Sequence, residues 1–147
     1  MVRLKARYVC CQVLSGPVGG PYNTTPVTAR EVTQKVSEIV GENYGSFGQS
    51  HDCKVVYFDP PSGVLCLRTN RDFEKQLHFA LTCISSLKGN TPALVRCLHI
   101  SGSMRTCLVA LWETLAKHVE MRGDLGGSAE VRAEKQRYLI EIKTSFT

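Results

Sequence analysis

The chain has 147 residues, of which 43% are hydrophobic and 21% charged, and its formal net charge is +5. These proportions indicate one globular domain with a proper core, and the positive balance favours a polyanionic partner without requiring one. No apolar run approaches the ~20 residues that span a membrane, and the first residues lack the apolar segment of a secretory signal, so we expect a protein that works inside the cell.

The stretch 3–14 is predicted to be a β-strand, because its residues beyond position 7 are apolar on both faces, as in a central strand. At its start Arg3, Lys5 and Arg7 alternate along the sequence and therefore project from one face. We interpret these three cations as a basic comb that runs off the sheet. The alternative is a frayed basic terminus.

Two helices and a hairpin follow. Thr28 opens a capping-box pattern that starts the first helix, and Gly45 is its expected end. The stretches 54–58 and 64–67 are predicted to be strands joined by a type I turn, which the intervening prolines and glycine favour. Asn70 is the expected cap of the second helix.

The fourth strand, 91–100, leads through a glycine turn directly into a third helix, which has a broad apolar face. Such a junction leaves backbone N–H groups unbonded and able to bind an anion. Ser103 is the expected cap. Arg105 lies in the first turn, where the helix dipole disfavours a cation, so we interpret it as a phosphate ligand. A solvated Arg105 is the alternative.

The order β-α-β-β-α-β predicts an α+β sandwich of the ferredoxin-like, RRM-like kind with additional C-terminal helices, in which the first and third strands are central. We place the RRM-like domain at residues 1–123 and a C-terminal helical extension at 124–147. The extension has mixed charges and a weak apolar stripe, and we expect it to be exposed or held by a partner.

Seven cysteines raise the question of a metal site or disulfides. There is no Cys-x-x-Cys pair, and an odd number of cysteines suits reduced thiols. Most of them lie in apolar runs, where free cysteine behaves as a small core residue. We therefore expect structural burial, with no metal or disulfide role, for most of the seven, which are Cys10, Cys11, Cys53, Cys66, Cys83, Cys97 and Cys107.

The sequence also argues against catalysis by the protein. The four histidines fall in separate elements, without metal-ligand spacing. The triplet 51–53 combines a histidine, an aspartate and a cysteine, but adjacent residues on an extended strand alternate faces, so the local spacing argues against a nucleophile with its base. No catalytic or metal-ligating residue is predicted, although a small ferredoxin-like enzyme stays an alternative. RNA-recognition domains stack bases on aromatic residues of their central strands. No aromatic residue lies at the centre of the first or third strand here, so any RNA is expected to bind through phosphates and shape.

Residues 1–8, 56–58 with 62–68, and 98–107 resemble the Pop-five protein subunit family of ribonuclease P and ribonuclease MRP. The resemblance implies a non-catalytic RNA-binding subunit that stabilises the catalytic RNA core. Ribonuclease P removes the 5′ leader of precursor tRNA, and the MRP particle processes precursor rRNA. Magnesium would serve the RNA, with no cofactor bound by the protein. The family also implies a barrel-shaped partner subunit of the Rpp-thirty type and a location in the nucleus and nucleolus.

Carried onto this chain, the resemblance and the basic pattern give a set of expected RNA-binding residues. These are Arg3, Lys5, Arg7, Arg68, Ser101, Gly102, Ser103, Arg105 and Thr106. Two alternatives remain at this point. One is a protein–protein interaction module of ferredoxin-like fold, and the other is the paralogous small subunit of the same particles.

Overall fold

The protein is represented by a computed structural model that describes residues 5–16, 27–49, 53–87, 91–121 and 127–145. Five strands and four helices follow one another in these ranges. In chain order they are β1 (Ala6–Ser15), α1 (Ala29–Gln49), β2 (Cys53–Asp59), β3 (Val64–Asn70), α2 (Glu74–Cys83), β4 (Ser86–Leu87), β5 (Thr91–Ser101), α3 (Met104–Met121) and α4 (Ser128–Ser145).

The strands form one sheet in the order β2-β3-β1-β5-β4, and every pairing is antiparallel. The predicted ferredoxin-like arrangement is confirmed, with β1 and β3 inside the sheet. The short strand β4 was not predicted. It pairs with the start of β5, which therefore also lies inside the sheet.

Helices cover both faces of the sheet. On one face, α1 and α2 pack on the odd-numbered residues of β1, such as Val9 and Cys11. On the other face, α3 and α4 pack on Tyr8 and Cys10. The face on which RNA-recognition domains stack bases is thus occupied by helices in this fold.

The C-terminal helix α4 is part of the core. Tyr138 and Ile142 of the weak stripe are buried against α3 and the sheet, while Ile140 on the outer face is 63% exposed. The Tyr138 hydroxyl donates to Oδ2 of Asp59 at 3.3 Å. The weak apolar stripe is confirmed, whereas the expectation of an exposed or partner-held segment is wrong, because one side of α4 is covered by α3 and the sheet.

The ends of the first two helices agree with the predictions only in part. Thr28 caps α1 as expected, because its hydroxyl accepts the N–H of Glu31 at 3.3 Å. The first helical run ends at Gly45 as predicted, because its φ of 68° and ψ of −164° are not helical, and a second short run follows the kink. The prediction of Asn70 as a side-chain cap is wrong. The Arg71 N–H donates to the Lys5 carbonyl at 2.8 Å, so Asn70 remains in extended pairing and a 3₁₀ turn precedes α2.

The hairpin turn is wider than predicted. The Gly63 N–H donates to the Asp59 carbonyl at 2.9 Å, which closes a turn of five residues, one more than a type I turn has. The Asp59 carboxylate accepts hydrogen bonds from the N–H and hydroxyl of Ser62, and these hold the extra residue in the turn. Gly63 has φ 72°, a conformation that suits glycine.

The cysteines are free thiols, and four of them are buried as predicted: Cys10, Cys11, Cys66 and Cys107. Cys53 and Cys97 are partly buried, and the prediction of burial is wrong for Cys83, which lies on the surface of α2. Burial raises the pKa of Cys53 to about 11, which keeps its thiol protonated at neutral pH. Among the described residues there is no group of His, Cys, Asp or Glu suited to a metal ion. None of the described helices is long and apolar enough to cross a membrane.

Candidate nucleic-acid interface

One end of the sheet gathers the residues predicted to bind RNA. Here β1 begins while β3 and β5 end, so that Tyr8 pairs with Arg68 on one side and with Ser101 on the other. Arg68 also pairs with Lys54 of β2. With adjacent strands about 4.8 Å apart, this row of four residues spans about 14 Å.

Five cations surround this row, and we call them the basic edge: Lys5, Lys54, Arg68, Arg71 and Arg105. All five are exposed. None forms an ion pair with another residue in the described ranges. Lys54 and Arg68 lie directly opposite each other on neighbouring strands, where like charges repel. An anion bound between them removes that repulsion.

Hydroxyl groups fix the turn that joins β5 to α3. The Ser101 hydroxyl accepts the N–H of Ser103 at 3.0 Å and lies 2.5 Å from the Thr106 hydroxyl. The Thr106 hydroxyl in turn donates to the Ser103 carbonyl at 3.0 Å. The Ser103 hydroxyl itself bonds to no residue that the structure describes. The prediction of a Ser103 hydroxyl cap is therefore wrong, and the Ser101 hydroxyl instead holds the N–H of Ser103, just before the helix begins.

The start of α3 keeps unbonded donors. The Ser103 carbonyl accepts the Cys107 N–H at 3.4 Å, which is the first hydrogen bond of the helix. The N–H groups of Met104, Arg105 and Thr106 donate to no residue in the described part of the chain. These residues are exposed, so three main-chain donors and the Arg105 guanidinium face solvent together.

Arg7 has a different environment from the other cations. Its Nε donates to Oε2 of Glu74 at 3.0 Å, and its side chain is 26% exposed. Its Nη1 lies against Gly102, where an added Cβ would stand 2.2 Å from it. Arg7 thus connects the start of α2 to the turn before α3, and only part of its guanidinium is available to a ligand.

The structure therefore brings most of the predicted residues to one end of the sheet. Lys5, Arg7, Arg68 and the segment 101–106 converge there, whereas Arg3 lies outside the described residues. Sequence analysis missed Lys54. A β-bulge between Val55 and Tyr57 sets the register that places Lys54 opposite Arg68, and nothing in the sequence marks it.

At the opposite end of the sheet, polar side chains hydrogen-bond to one another and have a structural role. The Gln12 amide donates to the Ser62 carbonyl at 3.0 Å, and Arg96 donates to the Gln12 side-chain oxygen at 2.7 Å. Ser62 and Tyr138 both donate to the Asp59 carboxylate. Because these groups satisfy one another, the network fastens α4 to the hairpin.

Comparison with known proteins gives matches over most of the chain. The model of the Rpp14/Pop5 family matches residues 7–111. The chain is 32% identical over 113 residues to the ribonuclease P/MRP protein subunit POP5 of Bos taurus, covering 73% of this chain and 65% of that protein. It is 30% identical to the human POP5 subunit over 113 residues, which is 73% of this chain and 68% of the human protein.

A probable POP5 subunit of Dictyostelium discoideum is 28% identical over 127 residues, covering 82% of this chain and 70% of that protein. Among solved structures, a chain of the cryo-EM structure of yeast ribonuclease MRP superposes with a TM-score of 0.58 over 98% of this chain and 95% of the yeast chain. At 14% identity this last match shows a shared fold.

Proposed function

Since this chain belongs to the Rpp14/Pop5 family, we propose that it is a non-catalytic subunit of ribonuclease P/MRP that binds the RNA of the particle through its basic edge. The POP5 names of its relatives support the Pop5 branch over the paralogous small subunit. In this proposal the RNA performs the chemistry with magnesium, and the protein binds no cofactor. Its role is to stabilise the RNA core that removes 5′ leaders from precursor tRNA and processes precursor rRNA.

The observation that carries the proposal is the set of five cations beside three N–H groups of α3, all of them without a partner among the residues that the structure describes. The opposed pair of Lys54 and Arg68 is unfavourable in the free protein by roughly 0.2–1 kcal/mol. A ribose-phosphate chain running along the row neutralises both residues. Its binding also releases counterions, which makes the affinity depend on salt.

Each residue at the turn has a distinct role in this proposal. The Arg105 guanidinium makes a forked contact with one phosphate, because its planar donors match two phosphate oxygens. The N–H groups of residues 104–106 donate to the same phosphate at the positive end of the helix dipole. Gly102 has no side chain to obstruct the approach, and the Ser101 and Thr106 hydroxyls hold the turn in shape.

Two further expectations belong to the same proposal. A barrel-shaped subunit of the Rpp-thirty type is the expected protein partner, and the nucleus and nucleolus are the expected location. Both follow from the family alone. The basic edge accounts only for the RNA contact.

The test is to identify the RNA that the full chain touches in cells. A tagged chain is cross-linked to RNA with ultraviolet light and purified under denaturing conditions, so that only directly bound RNA is retained and sequenced. We expect ribonuclease P and MRP RNAs, and we expect the double variant Arg68→Glu/Arg105→Glu to lose them. The control Arg132→Glu/Lys143→Glu makes the same charge change on exposed residues of α4. Equal retention by both double variants would contradict the proposal.

A further inference from the structure

Two aromatic side chains lie in contact on the surface of the layer formed by α1 and α2. Tyr44 is 42% exposed and Phe79 is 41% exposed. Their ring centroids are 6.0 Å apart and the ring planes are inclined at 86°, an edge-to-face pair. Single exposed apolar residues are ordinary, but two large rings in contact at the surface form a preformed apolar platform.

The platform is the end of a stripe of exposed residues on α2 and the turn before it. Residues three and four apart on a helix share one face. The carboxylate of Asp72, three residues before Lys75, borders this face, which carries two cations. Lys75 and Arg71 on it make no ion pair with any residue in the described ranges. The stripe consists of Arg71, Lys75, His78, Phe79 and Thr82.

The stripe is continuous with the basic edge. Arg71 belongs to both, and its N–H donates to the carbonyl of Lys5. The nearby carboxylate of Glu74 is already paired with Arg7, so it does not oppose an approaching phosphate. From Arg71 to Phe79 is eight residues, or about 12 Å along a helix. Arg71 and Lys75 therefore connect the basic edge to the aromatic pair.

We infer that Tyr44 and Phe79 form a stacking site for an unpaired RNA base whose backbone follows Arg71 and Lys75. This inference rests on the proposed RNA-binding function and adds the kind of RNA that is bound. A base in a duplex has both faces covered by its neighbours, whereas an unpaired base offers a free face to an aromatic ring. Stacking tolerates any base, and Lys75 supplies the charge that the accompanying phosphate needs.

The test compares two RNA probes with the full chain. One is a blunt hairpin, and the other is the same hairpin with a short single-stranded 3′ extension that contains 2-aminopurine. We expect the extended probe to bind about fivefold or more tightly than the blunt one, the effect of stacking one base. The 2-aminopurine emission should also fall on binding.

Phe79→Leu and Tyr44→Leu keep apolar side chains and remove the rings. They should abolish the advantage of the extended probe and the change in emission while leaving the affinity for the blunt probe unchanged. Arg105→Ala should weaken the binding of both probes. Thermal melting confirms that each variant is folded.

The outcomes separate the two proposals. If the wild-type chain binds neither probe, the proposed function itself is wrong. If it binds both probes equally, or if the leucine variants keep the full advantage of the extended probe, RNA binding stands and the stacking site is wrong. The aromatic platform would then be a surface for a protein partner.

Discussion

Replacing Ile142 with alanine tests whether α4 belongs to the cooperative core of this protein. Ile142 is fully buried between α4, α3 and the sheet. Alanine removes three carbon atoms, which at about 0.8 kcal/mol each lose about 2.4 kcal/mol of burial. The cavity left behind raises the expected loss in the free energy of unfolding to about 3–4 kcal/mol.

The same helix provides a matched control. Ile140 is 63% exposed, so Ile140→Ala makes the same chemical change with little burial to lose. Part of that small loss is offset by the higher helix propensity of alanine. We expect Ile140→Ala to lower the free energy of unfolding by about 0.5 kcal/mol, so the two variants should differ in this free energy by about 3 kcal/mol.

Urea unfolding followed by circular dichroism measures both variants against the wild type. Ile142→Ala should lower the midpoint strongly with an unchanged slope, in one transition. If the two variants unfold at similar midpoints, or if Ile142→Ala melts α4 in a separate early step, the assignment of α4 to the core is wrong.

Two other predictions concern the hairpin turn and the buried phenol of α4. Gly63→Ala should lower the free energy of unfolding by about 3 kcal/mol, because φ is 72° and the new Cβ would stand 2.1 Å from the Val13 carbonyl oxygen. In Gly102→Ala the new Cβ would approach the flexible end of the Arg7 side chain, so the free energy of unfolding should fall by less than about 1 kcal/mol. Equal urea midpoints for the two variants would refute the steric argument. Burial, reinforced by the charge of Asp59, raises the pKa of Tyr138 from its ordinary 10 to about 12. The neutral phenol therefore contributes to the free energy of unfolding below pH 10, and this contribution is lost as the pH rises towards 12. Tyr138→Phe should therefore flatten the fall in unfolding free energy between pH 10 and 12, and an unchanged fall would show that the phenol is not responsible.

The sequence was sufficient to predict the sheet because burial on both faces leaves a strong pattern. The stretches that became β1 and β3 are apolar on both sides, and they lie inside the sheet. The cap that the Thr28 hydroxyl provides is equally local and was predicted correctly. The two-residue strand β4 is too short to carry a pattern, and it forms only because β5 lies beside it.

The candidate site was predicted in position but not in detail. The position of the site could be predicted because a strand is followed directly by a helix near Gly102, and unbonded N–H groups are expected at such a helix start. Its hydroxyl network depends on the conformation of the turn, which selects Ser101 over Ser103. The pairing of Arg7 with Glu74 joins residues far apart in the chain, and the position of Lys54 depends on a bulge. Such long-range features do not appear in a single sequence.

The most direct test of the central claim is the salt dependence of RNA binding. Binding of the full chain to a transcript of ribonuclease P RNA is measured at several potassium chloride concentrations, for the wild type, Arg105→Ala and Arg132→Ala. Arg132 is an exposed cation of α4. Arg132 is far from Arg105. Lys135, which follows Arg132 by three residues, pairs with Glu120, and Glu120 lies fifteen residues, or about 22 Å of helix, beyond Arg105.

We predict that Arg105→Ala weakens binding and reduces the slope of log Kd against log salt concentration by about 0.7–0.9, the share of one neutralised phosphate. Arg132→Ala should leave the slope unchanged, and neither variant should alter thermal stability appreciably, because both side chains are exposed. Identical slopes for wild type and Arg105→Ala would contradict the claim that the start of α3 holds a phosphate of the RNA.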